Sequence, residues 1–267
     1  MTKKSRSALE KPGPAGFLLV DKPSGWTSHD VVDAARRWFE TRRVGHLGTL
    51  DPLATGVLPL AIRAATKLAP YIADNRKSYA GSIELGVETD TLDAEGQVLR
   101  THEGQLPAKE AIERALMGFQ GEIEQVPPMY SAVKRAGVPL HKLARAGKEV
   151  ERAPKLVRID RVALVSYRAP IAEVEVDCSP GTYVRTLADD LGRQLGCGAH
   201  LRNLRHQACT KLARPDYSHA DGVSFRLTLC QRFAQHTEVC SLSILCRGFD
   251  CSWQARFSTL RPPSLCR

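Results

Sequence analysis

Two hydrophobic periods interleave along the 267-residue chain without a regular order, and this narrows the fold more than any other feature. IAEVEVDCS (Ile171–Ser179) alternates apolar and polar residues, as a half-buried strand must. SYAGSIELG does the same and sets Tyr79, Gly81, Ile83 and Leu85 on one face. KLVRIDRVALVSY reads as a further strand, FLLVDKPSG as strand then turn, VLPLAI as a strand, and AHLRNLRHQACTKL as a last, bent strand. Helical spacing lies between them. VVDAARRWFE places Val31, Val32, Ala35, Trp38 and Phe39 on one face, behind a capping box formed by Thr27 and Asp30. ATKLAPYIAD, PAKEAIERALMGF and PLHKLARAG are shorter helices, the second opened by proline and the third ended by Gly147. TYVRTLADDLGRQLG turns Val184, Leu187, Ala188, Leu191 and Leu195 inward and ends at Gly196. With no regular strand–helix–strand alternation, the pattern predicts an α+β fold with a mixed, largely antiparallel central sheet flanked by helices.

Lysine and arginine exceed aspartate and glutamate to give a net charge of +9. A basic balance of this size suggests a polyanionic partner, most simply nucleic acid. No run of eighteen apolar residues exists, so no membrane span is expected. Residues 1–15 carry basic side chains but no apolar core of a signal peptide, and read as a disordered basic arm. The eight cysteines include no CxxC pair, which argues against a zinc ribbon or redox motif, and with no signal peptide reduced thiols in the cytoplasm are expected. After about residue 215 the texture changes. Residues 216–267 contain no lysine, hold five of the cysteines and keep no amphipathic period. They read as an atypical tail that is not a folded domain, as after a change of reading frame; sequencing the locus tests this. The main folding unit is expected over 16–215.

GHLGTLDPLATGVLPL (Gly45–Leu60) holds one carboxylate, Asp51, and one imidazole, His46, among apolar residues, glycines and prolines. Its glycines fit no phosphate-binding pattern, its ligands are too few for a metal, and it has no GxSxG elbow. Local chemistry leaves two readings equally open: an aspartate capping its own loop, or a reactive carboxylate in poor solvent. The loop GVETDTLDAEGQV superficially resembles a calcium loop, but the template fails, and it reads as a solvated turn.

GHLGTLDPLATGVLPL followed by AATK resembles the signature of the TruB-type tRNA pseudouridine synthases. The resemblance continues, in order, through DKPSG, RKSY, the GVETDTLDAEG loop, QVPPMYSAVK, GTYVRTLADDLG and GCGAHLRNLRH, over about residues 16–214. The LAT after Asp51–Pro52 is similar to the bacterial, stand-alone branch. The resemblance implies the pseudouridine synthase fold, and isomerisation of uridine-55 in the TΨC stem-loop of tRNA without a guide RNA. It implies no cofactor, no metal, no membrane and no obligatory protein partner, hence a monomer in the cytoplasm. Alternatives are a guide-dependent enzyme on ribosomal RNA and an inactive RNA-binding or RNA-folding protein. The matched nucleophile is Asp51, with Arg185 as its compensating cation and Tyr183 beside the uracil in proton transfer. Tyr79 is matched to base stacking, Leu204 to closing the pocket and His46 to extruding the base. Lys22 and Lys67 are matched to structural hydrogen bonding and RNA contact. Arg42, Arg43, Arg202 and Arg205 are candidates for phosphate contact. An Asp51–Arg185 ion pair is expected, within about 8 Å, roughly a Debye length. Relatives often carry a C-terminal PUA module, which the sequence after residue 214 does not resemble.

Overall fold

The computed structural model describes residue 13 and residues 15–209, except 73–75, 132, 136 and 149. Most of the arm over 1–15, and all of the tail over 216–267, lie outside the described residues. Chain order runs β1 (Gly16–Lys22), α1 (Ser28–Trp38), β2 (Val44–His46), β3 (Thr55–Ile62), a 3-10 turn (Arg63–Leu68), α2 (Ala69–Ile72) and β4 (Lys77–Leu85). It continues with β5 (Val87–Thr89), β6 (Val98–Thr101), α3 (Lys109–Met117), β7 (Gly121–Gln125), β8 (Lys134–Arg135), β9 (Val138–Pro139) and α4 (Leu140–Arg145). The last elements are β10 (Lys155–Arg168), β11 (Ile171–Cys178), α5 (Val184–Gln194) and β12 (Ala199–Cys209).

Eight strands form one sheet in the order β1-β3-β12-β4-β11-β10-β7, with β2 also on β3. Every pairing in it is antiparallel except β12 with β3, so the class is α+β with a mixed, largely antiparallel sheet. The alternation of β11 is realised residue by residue: Ala172, Val174, Val176 and Cys178 are buried and their neighbours half-exposed. Tyr79, Gly81, Ile83 and Leu85 of β4 are all buried. Two register shifts against β4 give β12 the bend its sequence suggested. The core joins the inward faces of β3, β4, β10, β11 and β12 to Val31, Val32 and Ala35 of α1 and to Leu187, Ala188 and Leu191 of α5.

The parallel contact between β3 and β12 is short, Thr55 and Gly56 against Arg205 and His206. Gly56 has φ +98° and lies so close under the His206 backbone that any Cβ there would collide with it. This contact closes the sheet directly behind the Asp51 loop.

Local readings differ in three places. The helix over ATKLAPYIAD opens as a 3-10 turn, and among the described residues it is α-helical over Ala69–Ile72. Trp38 does not join the inward face of α1 but is 41% exposed. It is the last helical residue and borders a groove lined with Leu18, Val20, Pro23, Trp26 and Ala34. The loop between β5 and β6, expected as a solvated turn, exposes Asp90, Ala94, Glu95 and Gln97 but buries Asp93 and docks on β12, as described below.

Candidate active site

The Asp51 loop is fixed from three directions before any substrate is considered. Lys22, at the end of β1, is completely buried. Its ammonium donates to the carbonyls of Pro23 (2.9 Å), Trp26 (2.6 Å) and Pro52 (3.1 Å), which uses all three of its protons. Gly25 N–H donates to the Pro52 carbonyl at 3.0 Å. Buried Ser28 donates from its hydroxyl to the Leu50 carbonyl (3.1 Å) and accepts from the Leu50 N–H (2.9 Å). Asp51 itself closes a turn, its carbonyl accepting from Ala54 N–H at 3.0 Å. Lys22 is thus a structural clamp. Its burial does not fit the expected RNA contact, because no part of the side chain reaches the surface. Burial lowers its pKa to about 8, against opposing attraction from Asp51 first, then Glu95 and Asp30.

Arg185, in the first turn of α5, comes up under this loop. Its Nη2 lies 3.0 Å from Asp51 Oδ2, as the expected pairing requires. The arginine side chain is 5% exposed, whereas that of Asp51 is 39% exposed. One edge of the carboxylate is therefore open, although protein crowds it on the other sides. That crowding pushes the Asp51 carboxyl above its ordinary value; Arg185 opposes this, Asp93 adds to it and Lys22 again opposes.

Asp93 is the residue that the sequence reading missed. It is buried, 3.2 Å from Arg185 Nη1, and accepts from the Thr91 hydroxyl (2.6 Å) and the Glu95 N–H (3.1 Å). The β5–β6 loop that carries it docks on β12 through Leu201 N–H to the Leu92 carbonyl and Ala94 N–H to the Leu201 carbonyl, both 3.0 Å. A polar loop with a short side chain able to turn back on its own backbone was visible in TDTLDAEG, but its docking partner was not. Arg185 also donates to the carbonyls of Thr91 (3.3 Å) and Tyr130 (2.8 Å). Glu95, on the same loop, is exposed, and its carboxyl is raised by burial first, then by Asp93 and Asp51.

Tyr183 is the N-cap of α5 and half-buried. Burial raises its phenol; Ser131 opposes this, Asp51 adds to it and Arg185 opposes. Tyr79 is buried, its ring 5.0 Å from that of His206 on the neighbouring strand. Leu204 pairs with Gly81 across the same two strands and packs on the core. His46 ends β2 and is half-buried; burial lowers its imidazole, the Gly48 backbone opposes, and His29 and Lys77 lower it further.

Lys67 is exposed on the 3-10 turn after β3. Arg202 and Arg205 are exposed but already engaged, with Glu84 at 2.8 Å and with both oxygens of Asp21 at 2.8 and 3.1 Å. Arg42 and Arg43 are exposed. Among the described residues no group of three or more His, Cys, Asp or Glu side chains is placed to hold a metal ion, and no helix is long and apolar enough to cross a membrane.

Fold and site together define a class: an α+β sheet that presents a half-open carboxylate against a buried guanidinium. Residues 36–184 match the TruB family pseudouridylate synthase N-terminal domain. The chain belongs to the TruB family. It is 49% identical over 193 residues to tRNA pseudouridine synthase B of Dehalococcoides mccartyi, covering 72% of this chain and 64% of that protein. It is 48% identical over 208 residues to the protein of the same name from Opitutus terrae, covering 78% and 86%. The chain thus spans just under two thirds of the first of these relatives. Among solved structures, the crystal structure of a Cbf5-Nop10-Gar1 complex superposes with a TM-score of 0.57 at 29% identity, over 73% of this chain and 48% of the other.

Proposed function

We propose that the chain is a tRNA pseudouridine synthase that isomerises uridine-55 of the TΨC loop, acting without a guide RNA or protein partner. The observation that carries this reading is the Asp51–Arg185 pair, a pre-positioned carboxylate with one edge open. The target base leaves its stack at a cost of a few kcal/mol, and His46 assists the extrusion. Stacking on Tyr79 returns about 1–3 kcal/mol, and Leu204 closes the pocket. Asp51, ionised, drives cleavage of the N-glycosidic bond by attack on the sugar or by stabilising the separated ribose and base. Arg185 keeps the carboxylate charged against its burial. The uracil rotates and a bond forms between its C5 and C1′ of the ribose. The C5 proton then leaves, with Tyr183 beside it, and N1 takes a proton from solvent, so the product is an isomer of the substrate.

The test is tritium release from tRNA carrying label at uracil C5. The purified protein alone is expected to release label from a bare TΨC stem-loop. Asp51→Asn is expected to abolish release and leave RNA binding intact. Unchanged turnover in that variant would sink the mechanism, and a requirement for added guide RNA would sink the stand-alone reading.

A further inference from the structure

His206 closes the last of the sequence motifs, GCGAHLRNLRH, and the mechanism above gives it no role. It is 2% exposed on β12, its backbone registered with Gly56 of β3 on one side and Tyr79 of β4 on the other. Its ring lies against that of Tyr79, with centroids 5.0 Å apart and planes tilted by 37°, inside the range where aromatic rings attract. Nδ1 of the same ring meets the carbonyl of Val57, on the strand that leaves the Asp51 loop. A carbonyl only accepts, so Nδ1 carries the proton and donates. Leu204 stands two residues before His206 and is registered with Gly81, two residues after Tyr79. Leu204 and His206 therefore share the face of the sheet that Tyr79 occupies.

We propose that His206 is a positioning residue that holds the Tyr79 ring in the orientation in which it stacks on the target base. This deepens the function proposed above and rests on it. Strand pairing fixes the Tyr79 backbone but leaves its two side-chain torsions to be set by contacts. The His206 ring supplies such a contact and is itself anchored to β3 through Val57, so the plane of Tyr79 is tied to the strand that carries the Asp51 loop. At 2% exposure His206 has no path to the substrate, and it acts through Tyr79. No covalent step falls to it.

Two substitutions separate the ring from the hydrogen bond. His206→Asn keeps an amide donor near the place of Nδ1 and removes the ring; His206→Phe keeps a ring and removes the donor. The asparagine variant is expected to lower kcat for tritium release about fivefold, the scale of one lost aromatic contact, with RNA affinity and Tm close to those of the unaltered protein. The phenylalanine variant should keep most of the rate while its Tm falls by about 2–4 °C, the effect of one lost hydrogen bond. Rate thus follows the ring and stability follows the bond, a split that a merely structural histidine would not produce. A readout without turnover is the fluorine resonance of 3-fluorotyrosine at position 79, assigned by its absence from Tyr79→Phe. It should be a single line in the unaltered protein and in His206→Phe, and broaden or split in His206→Asn as the ring gains freedom. A full rate in His206→Asn, an equal loss of rate in His206→Phe, or a single sharp line in His206→Asn overturns the proposal. Inactivity of the unaltered protein on tRNA would count against the proposed function instead, and the fluorine spectra would still decide whether His206 holds Tyr79.

Discussion

Two loops present an aspartate to the same guanidinium, and they do so in opposite ways. Asp51 meets Arg185 Nη2 with 39% of its side chain exposed; Asp93 meets Nη1 with 5% exposed. Asp93 is bonded at both oxygens, taking bonds from Thr91, Glu95 and Arg185. Asp51 keeps an open edge while backbone bonds and Lys22 hold its loop. A buried carboxylate with its lone pairs occupied is an anchor, whereas one with a free edge can meet a substrate. The difference separates two properties that a list of acidic residues would merge: Asp93 serves the position of Arg185, and Asp51, under the proposed function, serves the reaction.

That separation can be broken at several points. Asp51→Ala is expected to reduce tritium release more than about a thousandfold, the scale for a lost nucleophile, and to shift Tm little. A stability loss in this variant as large as the one at Asp93 would erase the contrast. Asp93→Ala leaves a buried guanidinium with half its compensation, so it is expected to destabilise the fold by about 3 kcal/mol in urea unfolding. Lys22→Met removes the donor shared by three carbonyls and should cost about 2 kcal/mol, or roughly 4–8 °C in Tm. Turnover should fall through the displaced Asp51 loop and not through RNA affinity, which a filter-binding titration checks. Two smaller effects are pH-dependent. Because the Asp51 carboxyl is raised and must be ionised, activity should fail on acidification at a pH above the ordinary aspartate value of about 3.9, as a pH–kcat profile would show. Lys22 has a folded pKa of about 8, below its unfolded value near 10.4, so the unfolded chain binds more protons between them. Its contribution to stability therefore rises with pH across that window, and its sign reverses if the clamp raises the lysine pKa.

What was legible in the sequence was local. The capping box of Thr27 and Asp30 forms with both reciprocal bonds, and the inward faces of β11 and α5 follow their periods. The Asp51–Arg185 pair came from the order of motifs and not from any spacing. Asp93 was lost because its partner in the chain is 92 residues away, and a polar loop looks the same in sequence whether it is solvated or docked. Gln125 was unreadable for the same reason, as its bonds to Tyr183 span 58 residues. Trp38 shows the opposite error: its helical phase pointed inward, yet the helix ends there and leaves it over an open groove.

The short contact of β3 with β12 has a consequence for the order in which the protein can be made. Thr55 reaches the Leu204 carbonyl across 149 residues of chain, and Gly56 sits beneath a strand that the ribosome adds after every other described element. β1 and β3 can pair early, but the sheet behind Asp51 cannot close until the last described strand has emerged. A nascent chain stalled before residue 199 would carry every side chain assigned here to bond cleavage and still lack the strand that closes the wall behind them.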